Sequence, residues 1–249
     1  MKIDVNFDFT SDTPCFWDNY WEKDELLGGA KVDPDSKSKT MQLYHKYLYS
    51  KPLPNGEVME LTIGTGKNYL TWKNFSFGSD ILVTSFRYKR YKETIQKVAN
   101  KLTNFQKYIE EYMHKSYTLG GEIIFPKMQG GINQSRGCNP FIKDRWDLTL
   151  ECIRKFYNGE NSPLYETLSK NKPFFDLFLD FKGYVDFFYL QDCVSADYSK
   201  VNFWIGEGKF EYYPLPQNVE EYMLWIEKGF DFVNKRNLRI SEDIKRRKL

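Results

Sequence analysis

The sequence predicts an α+β protein, with an antiparallel-rich N-terminal sheet packed on a long amphipathic helix and a mostly helical C-terminal half. Three patterns indicate this class: short alternating runs before residue 90, an apolar stripe with helical spacing from Tyr91 to Tyr112, and helix signals after Asp144. The 249 residues are 41% hydrophobic and 28% charged, an ordinary globular composition. We therefore expect one globular domain over residues 1–249.

Strand patterns dominate the N-terminal half. Ile3 to Phe9 alternates apolar and polar residues, which predicts a strand with one buried face. Between Glu57 and Phe86 three strand-like runs predict a meander, and the last of them covers Ile81 to Phe86. The stretch from Gly28 to Ser36 is rich in charged and turn-forming residues, so it predicts an ordered loop or a flap.

The middle of the chain predicts the longest helix and a buried strand. Apolar residues recur in steps of three and four from Tyr91 to Tyr112, which indicates one continuous amphipathic helix. Gly121 to Pro126 resembles a central strand buried on both faces. A Gly-rich connection, Lys127 to Ile142, then follows. Connections of this length without their own structure are uncommon and often functional.

Helix signals follow one another in the C-terminal half. Asp144 is the expected N-cap of a helix with Asp147 at its third position, and Gly159 marks the end of that helix. Phe174 to Val194 predicts buried helix that is broken at Gly183. Within it we expect four side chains to be largely buried, namely Phe181, Tyr184, Val185 and Phe188.

Two shorter signals complete this half. Val201 to Ile205 predicts a last strand. Asn218 precedes a final helix, with Glu221 three residues further on as in a capping box.

Composition and motifs argue against several classes of function. A net charge of +2 gives no strong global field toward nucleic acid or an anionic membrane. The four cysteines contain no CxxC pair and predict free thiols, and the N-terminus lacks a signal-peptide pattern, so we expect a cytoplasmic protein. The two histidines form no metal-binding pair. Gly64-Thr65-Gly66-Lys67 lacks the remainder of a phosphate-binding loop, and GxSxG is absent.

The segment from Lys127 to Glu151 is the best candidate for a site. Asp144, Asp147 and Glu151 share one face of the predicted helix, and Arg136 and Arg145 are placed to pair with them or to bind an anion. This pattern predicts a small cytoplasmic enzyme or a protein that binds an anionic or phosphate ligand. It contains no metal-binding motif and leaves the cofactor unknown, although the carboxylates are also suited to hold a divalent ion. The alternative interpretation is a helix cap with a salt-bridge network, because carboxylates suit helix N-termini without any function.

Basic residues indicate a competing function from another class. Lys and Arg cluster in residues 87–101 and again in residues 235–248. Both patches are suited to contact phosphates, and Tyr88 and Tyr91 are available to stack on bases. The alternative hypothesis is therefore a non-catalytic module that binds nucleic acid or protein through these patches. A protein that presents exposed aromatic residues to a partner is a third.

Several segments of the C-terminal two thirds resemble a known family. They are Gly120 to Pro126, Ile132 to Gly137, Asp144 to Arg154 and Gly183 to Phe188. Together they are similar to a family of uncharacterised bacterial proteins with no assigned activity. The resemblance implies a bacterial origin and carries over no catalytic residue.

Overall fold

The protein is described here from a computed structural model, which covers residues 2–21, 24–29, 32–65, 69–87, 89–127 and 131–249. In these residues eleven α-helices surround one antiparallel four-stranded sheet, so the α+β prediction is confirmed. The helices are α1 (Phe16–Tyr20), α2 (Pro34–Lys37), α3 (Lys39–Tyr49), α4 (Lys92–Lys101), α5 (Phe105–Ser116), α6 (Ile132–Cys138), α7 (Trp146–Tyr157), α8 (Tyr165–Lys170), α9 (Lys172–Phe175), α10 (Phe181–Phe187) and α11 (Val219–Arg247). The strands are β1 (Thr62–Ile63), β2 (Leu70–Trp72), β3 (Phe75–Ile81) and β4 (Glu122–Pro126).

The sheet has the order β1-β2-β3-β4, with Leu70 paired to Phe77 and Gly78 paired to Phe125. The predicted meander therefore exists, but its third strand covers Phe75–Ile81 and the expected strand from Ile81 to Phe86 is wrong. All five residues of β4 are buried as predicted. However, β4 is an edge strand of the sheet and not a central one, because among the described residues it pairs with β3 alone. In the Gly64-Thr65-Gly66-Lys67 motif, residues 66 and 67 lie outside the described residues.

The predicted strand from Ile3 to Phe9 is wrong, since this segment forms turns. The carboxylate of Asp4 accepts the backbone N–H of Asn6 at 3.0 Å, and that of Asp8 accepts the N–H of Thr10 at 2.9 Å. Side chains of this type offer the backbone an alternative to a strand ladder. The apolar residues of the segment still reach the core, and Phe9 is fully buried.

The long helix predicted from Tyr91 to Tyr112 is interrupted. Helix α4 ends at Lys101, and α5 begins at Phe105 after Asn104, which has a positive φ of 60°. Asn tolerates this left-handed conformation better than most residues do. The apolar stripe continues across the break, because Ile95 and Ile109 are both fully buried.

Two boundaries near the predicted site differ from expectation. The connection from Lys127 to Ile142 contains α6, and its residues 128–130 lie outside the described residues. Helix α7 begins at Trp146, so Arg145 is the N-cap and Asp147 is at the second helical position. The N-cap prediction for Asp144 is wrong, since this residue has a φ of 67° one position before the cap. The predicted end of α7 is confirmed, because Gly159 follows the C-cap with a φ of 71°.

The segment from Phe174 to Val194 is helical and buried, but its break is not at Gly183. The break lies at Leu179, with a φ of 67°, and Asp180 then caps α10 by accepting the N–H of Gly183 at 2.7 Å. Gly183 lies within α10, where a Cβ would come within 2.1 Å of the Phe178 carbonyl oxygen. The burial of the four side chains predicted here is confirmed for Phe181, Tyr184, Val185 and Phe188.

Helix α11 closes the core and positions the chain after β3. Asn218 caps it as predicted by accepting the N–H of Glu221 at 2.8 Å. Tyr222 and Trp225 then donate hydrogen bonds to the carbonyls of Ser85 and Thr84, at 2.9 and 2.7 Å. The strand predicted from Val201 to Ile205 is reduced to a single bridge at Val201.

Candidate functional site

A cavity of about 390 Å³ opens beside the C-terminal end of β3. Its walls are the segment around α2, the chain that follows β3, and helix α5. Four aspartates line it together with one arginine, which is an unusual concentration of charge for a wall that also contains aliphatic and aromatic side chains. The lining residues are Tyr20, Leu27, Gly28, Gly29, Asp33, Asp35, Asp80, Ile81, Val83, Thr84, Ser85, Arg87, Met113, Tyr117 and Asp144.

Local structure explains how two of these aspartates reach the cavity. Asp33 is the N-cap of α2 and accepts the backbone N–H of Asp35 at 3.1 Å, and Pro34 occupies the first helical position. Asp and Pro favour these two positions at a helix start. This start of α2 belongs to the flap that the sequence predicts from Gly28 to Ser36, of which residues 30 and 31 lie outside the described residues.

Arg136 holds two of the cavity aspartates in place. Its side chain is fully buried, and its Nη1 lies 2.7 Å from Asp80 Oδ2 and 3.1 Å from Asp144 Oδ1. Further hydrogen bonds run to the carbonyls of Ile81 and Asp144 and to the hydroxyl of Thr149. Because the guanidinium is committed to these groups, Arg136 fixes two cavity carboxylates and does not line the cavity itself.

A fifth carboxyl group lies behind Asp35. Glu122, the first residue of β4, is fully buried and accepts a hydrogen bond from Ser79 Oγ at 3.2 Å. Burial and the adjacent Asp35 raise the pKa of Glu122 well above its ordinary value. Glu122 Oε1 and Asp35 Oδ1 are both buried without a hydrogen-bond partner among the described residues, and a proton on at least one of the two carboxyl groups reduces the repulsion between them. We refer to Asp33, Asp35, Asp80, Glu122 and Asp144 as the acidic cluster.

Burial changes the protonation of the acidic cluster at neutral pH. It raises the pKa of Asp35 to about 8, and the charges of Asp33 and Asp80 contribute to this shift. Burial also raises the pKa of Asp80, to about 6, against the opposing effect of Arg136. The pKa of Asp33 is raised by desolvation as well, but this residue is exposed to solvent, so we expect its shift to be the weakest of the three. Near neutral pH, therefore, Asp35 carries a proton and Asp80 is mostly ionised.

Arg87 provides the positive charge of the cavity wall. It is 7% exposed, its Nε donates to the Leu26 carbonyl at 2.9 Å, and its Nη1 donates to the Tyr20 hydroxyl. The guanidinium stacks on Trp21, with its central carbon 4.1 Å from the ring centroid. A Cβ at Gly28, which has a φ of +63°, would lie 2.8 Å from Arg87 Nη2. Glycine at this position therefore allows the chain to approach the guanidinium.

The five residues predicted as a site do not lie together in the structure. Arg136 and Asp144 meet at the cavity, whereas Arg145 and Asp147 bind each other at 2.9 and 2.6 Å. Arg145 also donates to the carbonyls of Ile205 and Pro214, and Asp147 accepts the N–H of Trp204. This pair holds the chain after α10 against α7.

Glu151, the fifth of those residues, lies away from the cavity. It accepts two hydrogen bonds from Arg154, each at 2.8 Å, on the same helix. This i, i+3 pair is partly exposed to solvent.

Sequence reasoning missed most of the acidic cluster and Arg87. One signal was present in Asp33-Pro34-Asp35, a helix start with two acids inside the predicted flap. Another was Glu122, a carboxylate directly before the apolar residues of a buried strand. A buried acid of this kind needs a partner or a proton, and either requirement indicates a special environment.

The C-terminal basic patch, residues 235–248, mostly forms hydrogen bonds and ion pairs within the protein. Arg236 is fully buried and donates to the carbonyls of Leu119, Gly120, Glu122 and Phe188. Lys235 pairs with Asp231, Arg239 with Asp192, and both Arg246 and Arg247 with Asp243.

The other patch, residues 87–101, contributes Arg87 to the cavity, and Tyr88 lies outside the described residues. Binding of nucleic acid or protein by the two patches stays a prediction.

The described parts of the chain contain neither a cluster of metal ligands nor a helix that could span a membrane. No group of three or more His, Cys, Asp or Glu side chains in them has an arrangement that would hold a metal ion. None of the helices in these parts combines the length and apolar character needed to cross a bilayer.

The comparison with known proteins identifies the family. Residues 3–240 match a family of unknown function, DUF6994, and because this match covers nearly the whole chain, the protein belongs to that family. No curated protein and no solved structure matches it.

Proposed function

We propose that the protein is an enzyme that acts on a small polar molecule by general acid–base catalysis in the cavity beside β3. The observation that carries this proposal is the convergence of Asp33, Asp35, Asp80 and Asp144 on one cavity, above an arginine that fixes two of them. A volume of about 390 Å³ suits a small ligand.

The roles of two carboxyl groups follow from their protonation. Asp35, whose pKa is raised to about 8, holds a proton at neutral pH and is the candidate general acid. Asp80, whose pKa is raised to about 6, is mostly ionised and is the candidate general base. Neighbouring acids whose pKa values are pushed apart are a common basis for assigning these roles. The charges of Asp33 and Asp80 contribute by keeping the proton on Asp35.

Arg136 has a positioning role in this proposal. Its contacts with Asp80 and Asp144 hold both carboxylates in place, and its charge keeps Asp80 from becoming fully protonated at neutral pH. The anion contact that the sequence assigns to Arg136 stays a prediction. In the proposed enzyme, Arg87 is the residue whose guanidinium contacts an anionic group of the substrate.

The proposal is tested by incubating the protein with a mixture of cellular metabolites and following their consumption by mass spectrometry. We expect wild-type protein to consume at least one compound and Asp35→Asn and Asp80→Asn to lose at least about a hundredfold in rate, as expected on removal of an acid or base. Asp176→Asn is the matched control, because Asp176 lies in an exposed pair with Lys172. Equal consumption by all four proteins, or none by wild type, would contradict the proposal.

We also propose a cytoplasmic location and a bacterial origin. The four cysteines are free, and two of them, Cys15 and Cys138, are exposed, which suits a reducing compartment. The bacterial origin is supported by the family resemblance. Fractionation of the source cells tests the location, and recovery of the protein outside the cytoplasm would contradict it.

A further inference from the structure

Arg87 has unused hydrogen-bonding capacity beside the cavity. Its Nε and Nη1 are bound to the Leu26 carbonyl and the Tyr20 hydroxyl, but among the described residues its Nη2 has no hydrogen-bond partner. The side chain is 7% exposed, and Nη2 lies beside Gly28, which itself lines the cavity. A buried guanidinium N–H without an acceptor is costly, and a bound carboxylate would supply that acceptor.

The acidic cluster has the opposite requirement. Arg136 balances Asp80 and Asp144, whereas neither Asp33 nor Asp35 forms an ion pair with another described residue. Negative charge therefore exceeds positive charge on this part of the wall. A bound ammonium group would neutralise the excess and donate hydrogen bonds to carboxylate oxygens on this part of the wall, of which Asp35 Oδ1 has no hydrogen-bond partner among the described residues.

Arg87 and the acidic cluster form two distinct charged parts of the wall. Among the described residues, Arg87 donates to Leu26 and Tyr20 and forms no ion pair with an acid of the cluster. The same cavity is also lined by four aliphatic side chains, Leu27, Ile81, Val83 and Met113. Such a surface suits a hydrocarbon chain that joins two charged ends.

From these three features we propose that the cavity binds a small zwitterion, with an ammonium group at the acidic cluster, a carboxylate at Arg87 and an aliphatic chain between them. An ammonium group fits better than a divalent metal, because no three acids among the described residues are close enough to share an ion. A neutral ligand would leave Arg87 Nη2 without an acceptor of matching charge. The inference deepens the proposed function, on which it rests, by naming the class of substrate.

The test uses three probes of similar length in isothermal titration calorimetry, namely ε-aminocaproate, hexylamine and caproate. We expect ε-aminocaproate to bind and each singly charged probe to bind at least about tenfold more weakly, since each leaves one charged group of the wall unpaired. An ammonium group at the cluster also favours ionised carboxylates. Binding of ε-aminocaproate and hexylamine should therefore release protons, seen as a dependence of the enthalpy on the buffer, and caproate should not.

Two variants test the contacts of the two ends of the ligand separately. Arg87→Gln should remove the advantage of ε-aminocaproate over hexylamine. Because Arg87 also contacts Tyr20 and Trp21, this variant has to be checked for folding by circular dichroism. Asp33→Asn is the safer variant, since Asn keeps the N-cap of α2, and it should weaken both amines while leaving caproate unchanged. Asp231→Asn, in an exposed helical pair, is the control.

Three outcomes would overturn the inference: binding of caproate as tight as that of ε-aminocaproate, no binding of any probe, or binding of Mg²⁺ or Mn²⁺ that Asp33→Asn abolishes. The proposed function fails separately, through unchanged turnover in Asp35→Asn and Asp80→Asn. A cavity without preference for zwitterions whose turnover still depends on those two residues would retain acid–base catalysis and exclude this substrate class.

Discussion

The start of helix α7 and the cavity beside β3 both concentrate acidic residues, but they treat the charge differently. At α7 each carboxylate has an arginine, since Asp147 binds Arg145 and Glu151 binds Arg154. In the cavity neither Asp33 nor Asp35 forms an ion pair with another described residue, and the pKa of each is raised. The comparison indicates that balanced acids hold segments of this chain together, whereas unbalanced acids remain available for a ligand or a proton.

We expect the largest effect on stability from a substitution of Arg136. Arg136→Ala would leave Asp80 and Asp144 without their cation in a buried position, so we expect a loss of about 5 kcal/mol in the free energy of unfolding. Urea denaturation measures the change. Lys235→Ala, which removes an exposed pair, should cost less than about 0.5 kcal/mol. A loss below about 1 kcal/mol for Arg136→Ala would mean that this arginine is not structural.

The balanced pair at α7 should matter for stability and not for the ligand. Asp147→Asn weakens a buried bidentate contact with Arg145 and the hydrogen bond from Trp204, and we expect a cost of about 3 kcal/mol. Affinity for ε-aminocaproate should stay the same at a temperature where the variant is folded. Calorimetry measures this affinity. A large loss of affinity would show that the pair at α7 and the cavity are functionally coupled.

The acidic cluster should make the stability of the protein depend on pH. Glu122 and Asp35 have higher pKa values when folded than when unfolded, so their contribution to stability is complete at low pH and is lost as pH rises through the folded pKa, about 8 for Asp35. The unfolded carboxyl group has a pKa of about 4.3, so Glu122→Gln should change stability little near about pH 4 and stabilise by at least about 1 kcal/mol near about pH 9. Thermal unfolding of both proteins at each pH measures this difference. The opposite sign at high pH would show that Glu122 is ionised in the fold.

Glu151 should give the smallest effect. Its pair with Arg154 is partly exposed and within one helix, so Glu151→Gln should cost less than about 1 kcal/mol in urea denaturation. Turnover and probe binding should not change. A hundredfold loss of turnover would instead show that Glu151 takes part in the site, as its sequence position suggests.

Sequence patterns predicted what depends on burial and local capping. The α+β class, the buried segment around Phe188 and the cap at Asn218 all depend on apolar spacing or on one side chain near its own backbone. The errors arose where a side chain redirected the chain, as Asp4 and Asp8 do in the turns before α1.

The candidate site was only partly predictable for a different reason. Arg136 and Asp144 stood out in a charged loop, but Asp35, Asp80 and Glu122 are far apart in sequence and meet only through the folding of α2 onto the sheet. Single-sequence periodicity contains no information on such distant contacts. The same limit applies to Arg87, which sequence reasoning assigned to a basic surface.

The two edges of the sheet also determine how the protein behaves toward its own copies. Exposed strand edges are templates on which further strands add, and this is a common route to aggregation. Here β1 has two residues, and at the other edge the buried Arg236 binds the carbonyl of Glu122, the first residue of β4, together with the carbonyls of Leu119 and Gly120 just before the strand. The Glu122 acceptor is therefore occupied from within the protein and is not available to an incoming strand.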